Sequence, residues 1–276
     1  MKHFRMIILL AVVLILSFQG LSNAQINAGL SAYYVEYAGK TAEDNLGENV
    51  EPLLSLFGYY TGSGLFNTAE THSILGFDVG IKAAIAMVGD NLKTDWEGVG
   101  GVKGGPLGEY STLPLPLIHA GIGLGSNIEI IGRAFSYPIA ETAEGESENI
   151  TLIGAGIKYG VVQNMLLPRV SVIASFHKLL IPDKFEFANV QTISLDLIVS
   201  KGIPFVATFY GGVGIDRASM TVDLKKPISE SFDYTQSMFR GVVGVKFDFI
   251  PFVFINADYN FGVNQGVNVG LGLNLR

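Results

Sequence analysis

The residues of this chain that could perform acid–base or metal chemistry are widely separated in sequence. There are four histidines and no cysteine. His3 lies in the amino-terminal leader, and His72, His119 and His177 have neither the H-E-x-x-H spacing nor a cysteine partner of a zinc site. No nucleophile motif accompanies His119 or His177, so both are better explained as hydrogen-bonded interior residues than as catalysts. We therefore predict no enzymatic activity, no catalytic residues, no metal and no cofactor.

Two glycine-rich stretches have some likeness to nucleotide-binding loops. Gly98–Gly108 includes Lys103 but lacks the G-K-[ST] ending of a phosphate-binding loop. Gly121–Gly125 falls within a strand pattern and its turn, which is a poor context for a dinucleotide site. The formal net charge of −7 also argues against a nucleic-acid partner, because binding phosphates requires a basic patch.

Charged and imidazole side chains recur at one parity of segments that alternate with a period of two. In "LGFDVGIKAAIAM", Leu75–Met87, the bulky apolar residues occupy one face, while Asp78 and Lys82 share the other with small residues. The interior polar candidates at this parity are Asp78, Lys82, His119, Glu129, Arg133, Lys158, His177, Asp196, Arg240, Lys246 and Asp248, and Arg169, Asp216 and Asp258 share it. Because these side chains include both positive and negative charges, they are best explained as interior salt bridges, with a polar path or ligand site as the alternative.

The elements that position these residues are strands with an unusual second face. In "VNVGLGLNLR", Val267–Arg276, apolar residues alternate with glycine and asparagine, whereas the outward face of a soluble sheet usually carries lysine, glutamate and threonine. Only 16% of all residues are charged, against ~25% in an ordinary soluble domain. We expect the bulky set to face lipid and the small set to face an enclosed axis. The sequence predicts an all-β, antiparallel, up-and-down transmembrane β-barrel.

The two-residue period predicts ten strands, or twelve if the leader contributes. They are Leu75–Met87, Ile118–Leu124, Ile128–Tyr137, Asn149–Val161, Arg169–Leu180, Phe185–Ser200, Phe205–Arg217, Phe232–Phe249, Val253–Phe261 and Val267–Arg276. The odd connections include the longest, Asp90–Pro116 and Ala218–Ser231, and the even ones are short, which is typical of bacterial outer-membrane barrels. Across the Gly125–Asn127 turn, His119 is expected to lie beside Arg133, which favours a structural ion network.

The amino-terminal residues predict export. Lys2 and Arg5 flank the apolar run Met6–Phe18, and small residues follow up to Ala24. This layout predicts that residues 1–24 are a cleaved secretory signal peptide, since the run is shorter than the ~20 residues of a helical membrane span. Loss of the two cations takes the formal charge from −7 to −9.

Residues 25–70 lack the two-residue period, although Val50–Phe57 could form a short helix. The interior of a barrel of about ten strands is too narrow for an open pore. We expect this segment to fold into the lumen as a plug or to cap the periplasmic mouth, with a loosely tethered periplasmic segment as the alternative. Residues 71–276 form the predicted barrel.

Two stretches carry a resemblance to a known family. "FNTAETHSILGFD", Phe66–Asp78, and "LPLPLIHAGIGL", Leu113–Leu124, resemble an uncharacterised family of outer-membrane β-barrels of Gram-negative bacteria, a domain of unknown function. The architecture is also distantly similar to outer-membrane transporters for fatty acids and other hydrophobic compounds, whose amino-terminal segment plugs the barrel. Those transporters have more strands, and many outer-membrane barrels end in an aromatic residue where this chain ends in Arg276.

These features predict an integral protein of the cell outer membrane that admits or binds small hydrophobic molecules. Its expected partners are outer-membrane lipid, the outer-membrane assembly machinery and a small hydrophobic ligand. One alternative is a structural or assembly role, with the predicted loops Asp90–Pro116 and Ala218–Ser231 as docking surfaces. A less favoured alternative is a hydrolase of the outer-membrane protease or lipase kind, with its polar residues at the outer rim.

Overall fold

The computed structural model describes residues 40–92, 110–141, 147–182, 188–203, 206–224, 230–250 and 252–275. These residues form one α-helix, one short 3-10 helix (Asp90–Leu92) and ten strands. The elements are α1 (Lys40–Gly62), β1 (Phe77–Met87), β2 (Thr112–Gly125), β3 (Ile128–Glu141), β4 (Ser147–Val162), β5 (Arg169–Leu180), β6 (Ala188–Ile203), β7 (Ala207–Leu224), β8 (Glu230–Ile250), β9 (Val253–Gly262) and β10 (Gly266–Leu275).

The strands close into a barrel. Each strand pairs antiparallel with its neighbours in the chain, and β10 pairs with β1 from Phe77 opposite Leu275 to Ala86 opposite Gly266. Closure gives every strand two neighbouring strands, as a sheet that crosses a bilayer requires. The predicted ten-stranded, antiparallel barrel is confirmed.

The two faces of the wall differ in side-chain size as the alternation predicts. Ile81, Ile157 and Leu271 are 62%, 58% and 58% exposed on the outer face. Their neighbours along the strands point inward and are small or buried, as at Lys82, Lys158 and Gly272. An outer face of isoleucine, leucine, valine and phenylalanine matches the apolar band that lipid-facing barrel strands present.

The strand β2 begins earlier than the sequence analysis placed it. We predicted a start at Ile118, after Pro114 and Pro116, but β2 begins at Thr112. Its first residues pair only with β1, and pairing with β3 starts where Ile118 lies opposite Ala134. One edge of this stretch is therefore unpaired, and an edge tolerates residues that lack an N–H donor.

Several connections are also shorter than predicted. We expected a loop over Ala218–Ser231, but β7 continues to Leu224 and β8 begins at Glu230. The wall is therefore tallest at β7 and β8, at the end of the barrel that also holds the β1–β2, β3–β4, β5–β6 and β9–β10 connections. We call this the long-loop end, and the opposite end, with the turns after β2, β4, β6 and β8, the short-turn end. The predicted strand start at Phe205 lies outside the described residues.

Helix α1 lies inside the barrel. Its residues Leu56, Tyr59 and Tyr60 pack against inward side chains of β1, β2 and β4, and Leu54 packs against those of β6, β7 and β8 on the other side. Because wall surrounds the helix, its apolar residues are buried around most of its circumference rather than along one stripe. Among the described residues, no helix has the length and apolar character needed to cross a membrane.

The chain descends through the lumen from the long-loop end to the short-turn end. Val50 packs beside Val222 and Phe232, close to the β7–β8 connection. The helix ends at Gly62, and Gly64 then adopts a left-handed φ of +64°, which glycine accommodates without a Cβ clash. The chain continues through residues 63–76, which contain turns and bends but no helix or strand and which we call the extended segment, and it enters β1 at the short-turn end. The first half of the lumen is thus filled by helix and the second by this segment.

We predict that a cation on the outer face of the wall will destabilise the barrel. Leu271→Arg places a guanidinium on the outer face, midway along β10, so the free energy of unfolding should fall by ~2–4 kcal/mol in lipid. Reversible denaturant unfolding in phosphatidylcholine vesicles measures the change. Met165→Arg, at an exposed position in the β4–β5 turn, is the matched control and should cost less than ~1 kcal/mol. Equal losses for both variants would contradict the assigned outer face.

Candidate functional site

The structure places nearly all of the polar candidates on the inner face of the wall. The buried ones are Asp78, Lys82, His119, Glu129, Arg133, Lys158, His177, Asp196, Arg240 and Lys246. Asp248 differs, because its side chain is 42% exposed. Its Oδ1 forms an ion pair with Nζ of the buried Lys246 at 3.1 Å. Burying a charge in an enclosed interior is costly unless partners compensate it, so the contacts of each candidate indicate its role.

Three buried cations bind backbone carbonyls of the chain inside the barrel. Arg133 donates to the Thr61 carbonyl at 2.9 Å, in the last turn of α1. Lys82 donates to the Gly64 carbonyl at 2.7 Å, and Lys158 to the Glu70 carbonyl at 2.6 Å. The first contact is favourable for two reasons, because a helix leaves its last carbonyls unpaired and carries partial negative charge at that end. The cations of the wall therefore hold the end of α1 and the extended segment in place.

Arg240 on β8 is the centre of an ion network in the middle of the lumen. Its guanidinium donates to Asp196 at 2.6 Å and to Asp216 at 3.0 Å, and all three side chains are buried. Gly214 lies between them, and a Cβ at this position would overlap the Asp196 carboxylate. The small residue is required here because the charged side chains need the space.

Another buried carboxylate, that of Asp258, is stabilised by hydrogen bonds from uncharged donors. Asp258 accepts hydrogen bonds from Tyr210 at 2.9 Å, from Asn260 at 2.6 Å and from Asn268 at 2.7 Å. Asn268 also accepts from the Ser63 hydroxyl at 3.3 Å, which joins the network to the segment after α1. Neither asparagine was among the predicted interior residues, although the alternation of β10 placed Asn268 on the inner face.

A third cluster lies at the short-turn end, where the extended segment meets the wall. His72 Nδ1 lies 2.9 Å from Glu129 Oε2, and its Nε2 lies 3.8 Å from Asp78 Oδ2. His119 Nε2 approaches Asp78 Oδ1 at 3.2 Å, and Lys158 Nζ is 3.4 Å from Glu129 Oε2. Histidines that are far apart in sequence thus converge on one carboxylate.

His72 was absent from the predicted interior polar residues, because the parity of a strand assigns no direction to a residue that precedes the first strand. The motif Phe66–Asp78 that carried the family resemblance did contain it. The expected proximity of His119 and Arg133 is confirmed, since they are register partners across the β2–β3 turn. His177 is buried, and within the described residues neither of its ring nitrogens has a hydrogen-bond partner.

The long-loop half of the lumen is apolar. Leu113, Leu115 and Leu117 on β2, with Leu152 on β4, face the Leu56 side of α1. Ala188 and Val190 on β6, with Ala218 on β7 and Met238 on β8, face Leu54. The polar interior that is usual for a transmembrane barrel is therefore concentrated here in the middle and the short-turn half, although Ser55 and Asn264 are buried near the long-loop end.

The fold and the filled lumen define the class of protein: a ten-stranded β-barrel of the outer-membrane type with an internal helix. The chain belongs to a family of unknown function (DUF6588), whose model matches residues 1–95 and 89–275. This confirms the family resemblance seen in the sequence. Among curated proteins, none matches the chain.

Three solved structures illustrate the likeness in fold. The translocator domain of the autotransporter NalP from Neisseria meningitidis has a TM-score of 0.38 and 11% identity, covering 83% of this chain and 97% of that one. The N-terminal β-barrel domain of Pseudomonas aeruginosa OprF has a TM-score of 0.32 and 18% identity, covering 54% and 98%. Neisserial surface protein A (NspA) has a TM-score of 0.31 and 11% identity, covering 72% and 96%. Similarity at this level concerns the fold alone.

We predict that Arg240→Met will destabilise the barrel strongly, because it leaves Asp196 and Asp216 buried without their cation. Breaking a buried pair by removing one partner costs about 3–5 kcal/mol in the free energy of unfolding. Denaturant unfolding in vesicles provides the measurement. Arg217→Met, at an exposed position on β7, is the control and should change stability by less than ~1 kcal/mol. If the two variants lose equal stability, the network at Arg240 does not support the fold.

Proposed function

We propose that this protein is exported by a cleaved signal peptide, resides in the outer membrane and binds or admits small hydrophobic molecules. The binding surface is the apolar long-loop half of the lumen, which α1 fills in the state described here. In this proposal α1 is a displaceable plug, and residues 63–76 are its fixed anchor. Outer-membrane lipid surrounds the wall, and the outer-membrane assembly machinery inserts it.

One observation carries the proposal: the inward side chains around α1 are leucine, valine, alanine and methionine, where a water-filled passage would be lined by polar groups. Burial of apolar surface is favourable and has no directional requirement. A hydrophobic ligand can therefore replace the contacts of Leu54 and Leu56 without matching a pattern of hydrogen bonds. Among the described residues, the hydrogen bonds between this part of α1 and the barrel are few: the Tyr60 hydroxyl donates to the Leu113 carbonyl at 2.7 Å, the Tyr59 hydroxyl to the Ile85 carbonyl at 3.3 Å, and the Asn264 amide to Ser55 at 2.9 Å.

The anchor is held by a different kind of contact. Charged donors on β1, β3 and β4 bind its carbonyls and the end of α1, and the Ala69 amide donates to Ser200 at 2.9 Å. Hydrogen bonds to charged groups are worth roughly twice those between neutral groups, and breaking them would leave buried cations unpaired. Displacement of α1 is therefore expected to stop near Thr61.

The displaceable plug can be tested with disulfides, since the native chain has no cysteine. Ser55 on α1 accepts a hydrogen bond from Asn264 at 2.9 Å, so Ser55→Cys with Asn264→Cys should lock the helix. We expect the locked protein to lose the uptake of an apolar naphthylamine dye into intact cells, and a reductant to restore it.

Two further pairs are matched controls. Thr68→Cys with Ser200→Cys replaces hydroxyls 3.2 Å apart and fixes the anchor, and Ser136→Cys with Thr151→Cys replaces hydroxyls 3.0 Å apart within the wall. Dye uptake should be unchanged when either control pair is oxidised. If the oxidised Ser55–Asn264 pair leaves uptake unchanged, α1 does not gate passage, and the structural or assembly role becomes the better explanation.

The orientation of the barrel gives a separate prediction. Glu51 is exposed on α1 near the long-loop end, and Ser73 is exposed at the short-turn end. With the long connections outside the cell, a membrane-impermeant maleimide should label Glu51→Cys on intact cells and Ser73→Cys only after lysis. The reverse pattern would contradict this orientation of the plug.

The hydrolase alternative predicts that the wild type cleaves lipid or peptide. It also predicts that replacing His72, His119 or His177 abolishes this cleavage. In the described part of the chain, His72 and His119 contact the carboxylates of Glu129 and Asp78. An imidazole held by a carboxylate occurs in hydrolases as well as in structural and metal-binding clusters, but no nucleophile motif accompanies these histidines in the sequence, so we favour the non-enzymatic role.

A further inference from the structure

We propose that His72, Asp78 and His119 form a binding site for a divalent transition-metal ion of the zinc type, with Glu129 orienting His72. The site lies at the short-turn end of the lumen. It is independent of the proposed passage of hydrophobic molecules, because it involves the anchor and the wall and no part of α1.

Four separate elements bring these side chains together. His72 comes from the extended segment, Asp78 from β1, His119 from β2 and Glu129 from β3, and they are 6%, 6%, 2% and 2% exposed. One ligand atom from each of His72, Asp78 and Glu129 can be chosen so that all three lie within 4.8 Å of one another. His119 is not part of that group of three; its Nε2 lies 3.2 Å from Asp78 Oδ1, whereas His72 faces Asp78 Oδ2.

The hydrogen bond to Glu129 determines which nitrogen of His72 is free. With Glu129 Oε2 accepting from Nδ1 at 2.9 Å, a neutral imidazole turns the lone pair of Nε2 toward Asp78 Oδ2, 3.8 Å away. A lone pair and a carboxylate oxygen repel, and a cation between them removes the repulsion. Adjacent ligand atoms of a tetrahedral zinc ion are ~3.4 Å apart, given its bond lengths of ~2.0–2.2 Å. The two Asp78 contacts, at 3.2 and 3.8 Å, bracket this separation.

Unpaired atoms point to the same site. Asp78 Oδ1 and His119 Nδ1 are buried, and within the described residues neither has a hydrogen-bond partner. Buried polar atoms are normally satisfied, so this Asp78 oxygen is open either to a bound cation or to an Nε2–H tautomer of His119, and metal binding distinguishes the two. Gly121 leaves the space open, since a Cβ there would lie 3.0 Å from Glu129 Oε1 and 3.4 Å from the Asp78 oxygens.

The lysines nearest to the cluster are engaged elsewhere. Lys158 lies 3.4 Å from Glu129 Oε2 and donates to the Glu70 carbonyl, so it compensates Glu129. Lys82 donates to the Gly64 carbonyl at 2.7 Å. The Asp78 carboxylate is left between two imidazoles with no direct lysine contact among the described residues.

The donor set indicates the class of ion. Two imidazoles and one carboxylate suit zinc and its divalent neighbours, whereas magnesium and calcium prefer oxygen ligands alone. A carboxylate that accepts from the second nitrogen of a metal-bound histidine is the usual orienting partner of such sites. A bound ion would join the segment that carries His72 to β1 and β2, and would thus reinforce the anchor.

Cobalt(II) tests the site, because it replaces zinc and its tetrahedral complexes absorb visible light. We expect the purified, folded protein in detergent to bind one cobalt ion with a saturable absorption band that zinc abolishes and magnesium does not. His72→Ala and His119→Ala should lose the band, and Glu129→Gln should weaken binding about 10- to 100-fold. His177→Ala, which removes a buried histidine outside the cluster, should bind as the wild type does.

Folding of each variant is checked by heat-modifiable migration in gels, and binding is expressed per folded molecule. His72 lies outside the wall strands, so His72→Ala should fold even if His119→Ala does not. A folded wild type without saturable binding would overturn the proposal, as would wild-type affinity in folded His72→Ala. The first result would leave His72, Glu129 and Asp78 as a structural network without an ion.

Discussion

The compensation of buried charge inside a closed wall is the constraint on which the rest of this structure depends. The wall places its ionic side chains inward because the outer face must be apolar. Once inside, each cation needs a partner, and Lys82, Arg133 and Lys158 find carbonyl oxygens on the chain that fills the lumen. The wall and the internal chain therefore depend on each other electrostatically, because removing the internal chain would take these carbonyl partners away from the three cations.

The internal chain meets two different environments along its length. In the long-loop half, α1 contacts mainly leucine, alanine and valine side chains, and most of these contacts are apolar and non-directional, with hydrogen bonds at Ser55, Tyr59 and Tyr60. In the short-turn half, residues 63–76 are held by cations, hydroxyls and the Glu129 carboxylate. Directional contacts hold one conformation, whereas apolar contacts accept other apolar groups. This difference is the physical basis for treating the helix as displaceable and the extended segment as fixed.

Small residues on the inner face leave space for the charged side chains. Gly214 makes room for Asp196 and Arg240, and Gly121 makes room for Asp78 and Glu129. A ten-stranded barrel encloses little space, and here that space holds ion networks as well as a helix. The glycine and asparagine face of the strands thus reflects a crowded lumen rather than an open pore.

The sequence by itself determined the barrel, the number of strands and the inner face, because side-chain direction in a strand depends only on parity. Inner-face positions such as Asp78 and Arg240 could be named for the same reason. The start of β2 could not be predicted, because Pro114 and Pro116 are tolerated only where a strand edge is unpaired. The tertiary structure alone decided which inner residues meet: His72 and His119 reach one carboxylate through the path of the extended segment and the register between β1 and β2. Proximity across a closed barrel depends on pairing and on the internal chain, and neither leaves a periodic signal in the sequence.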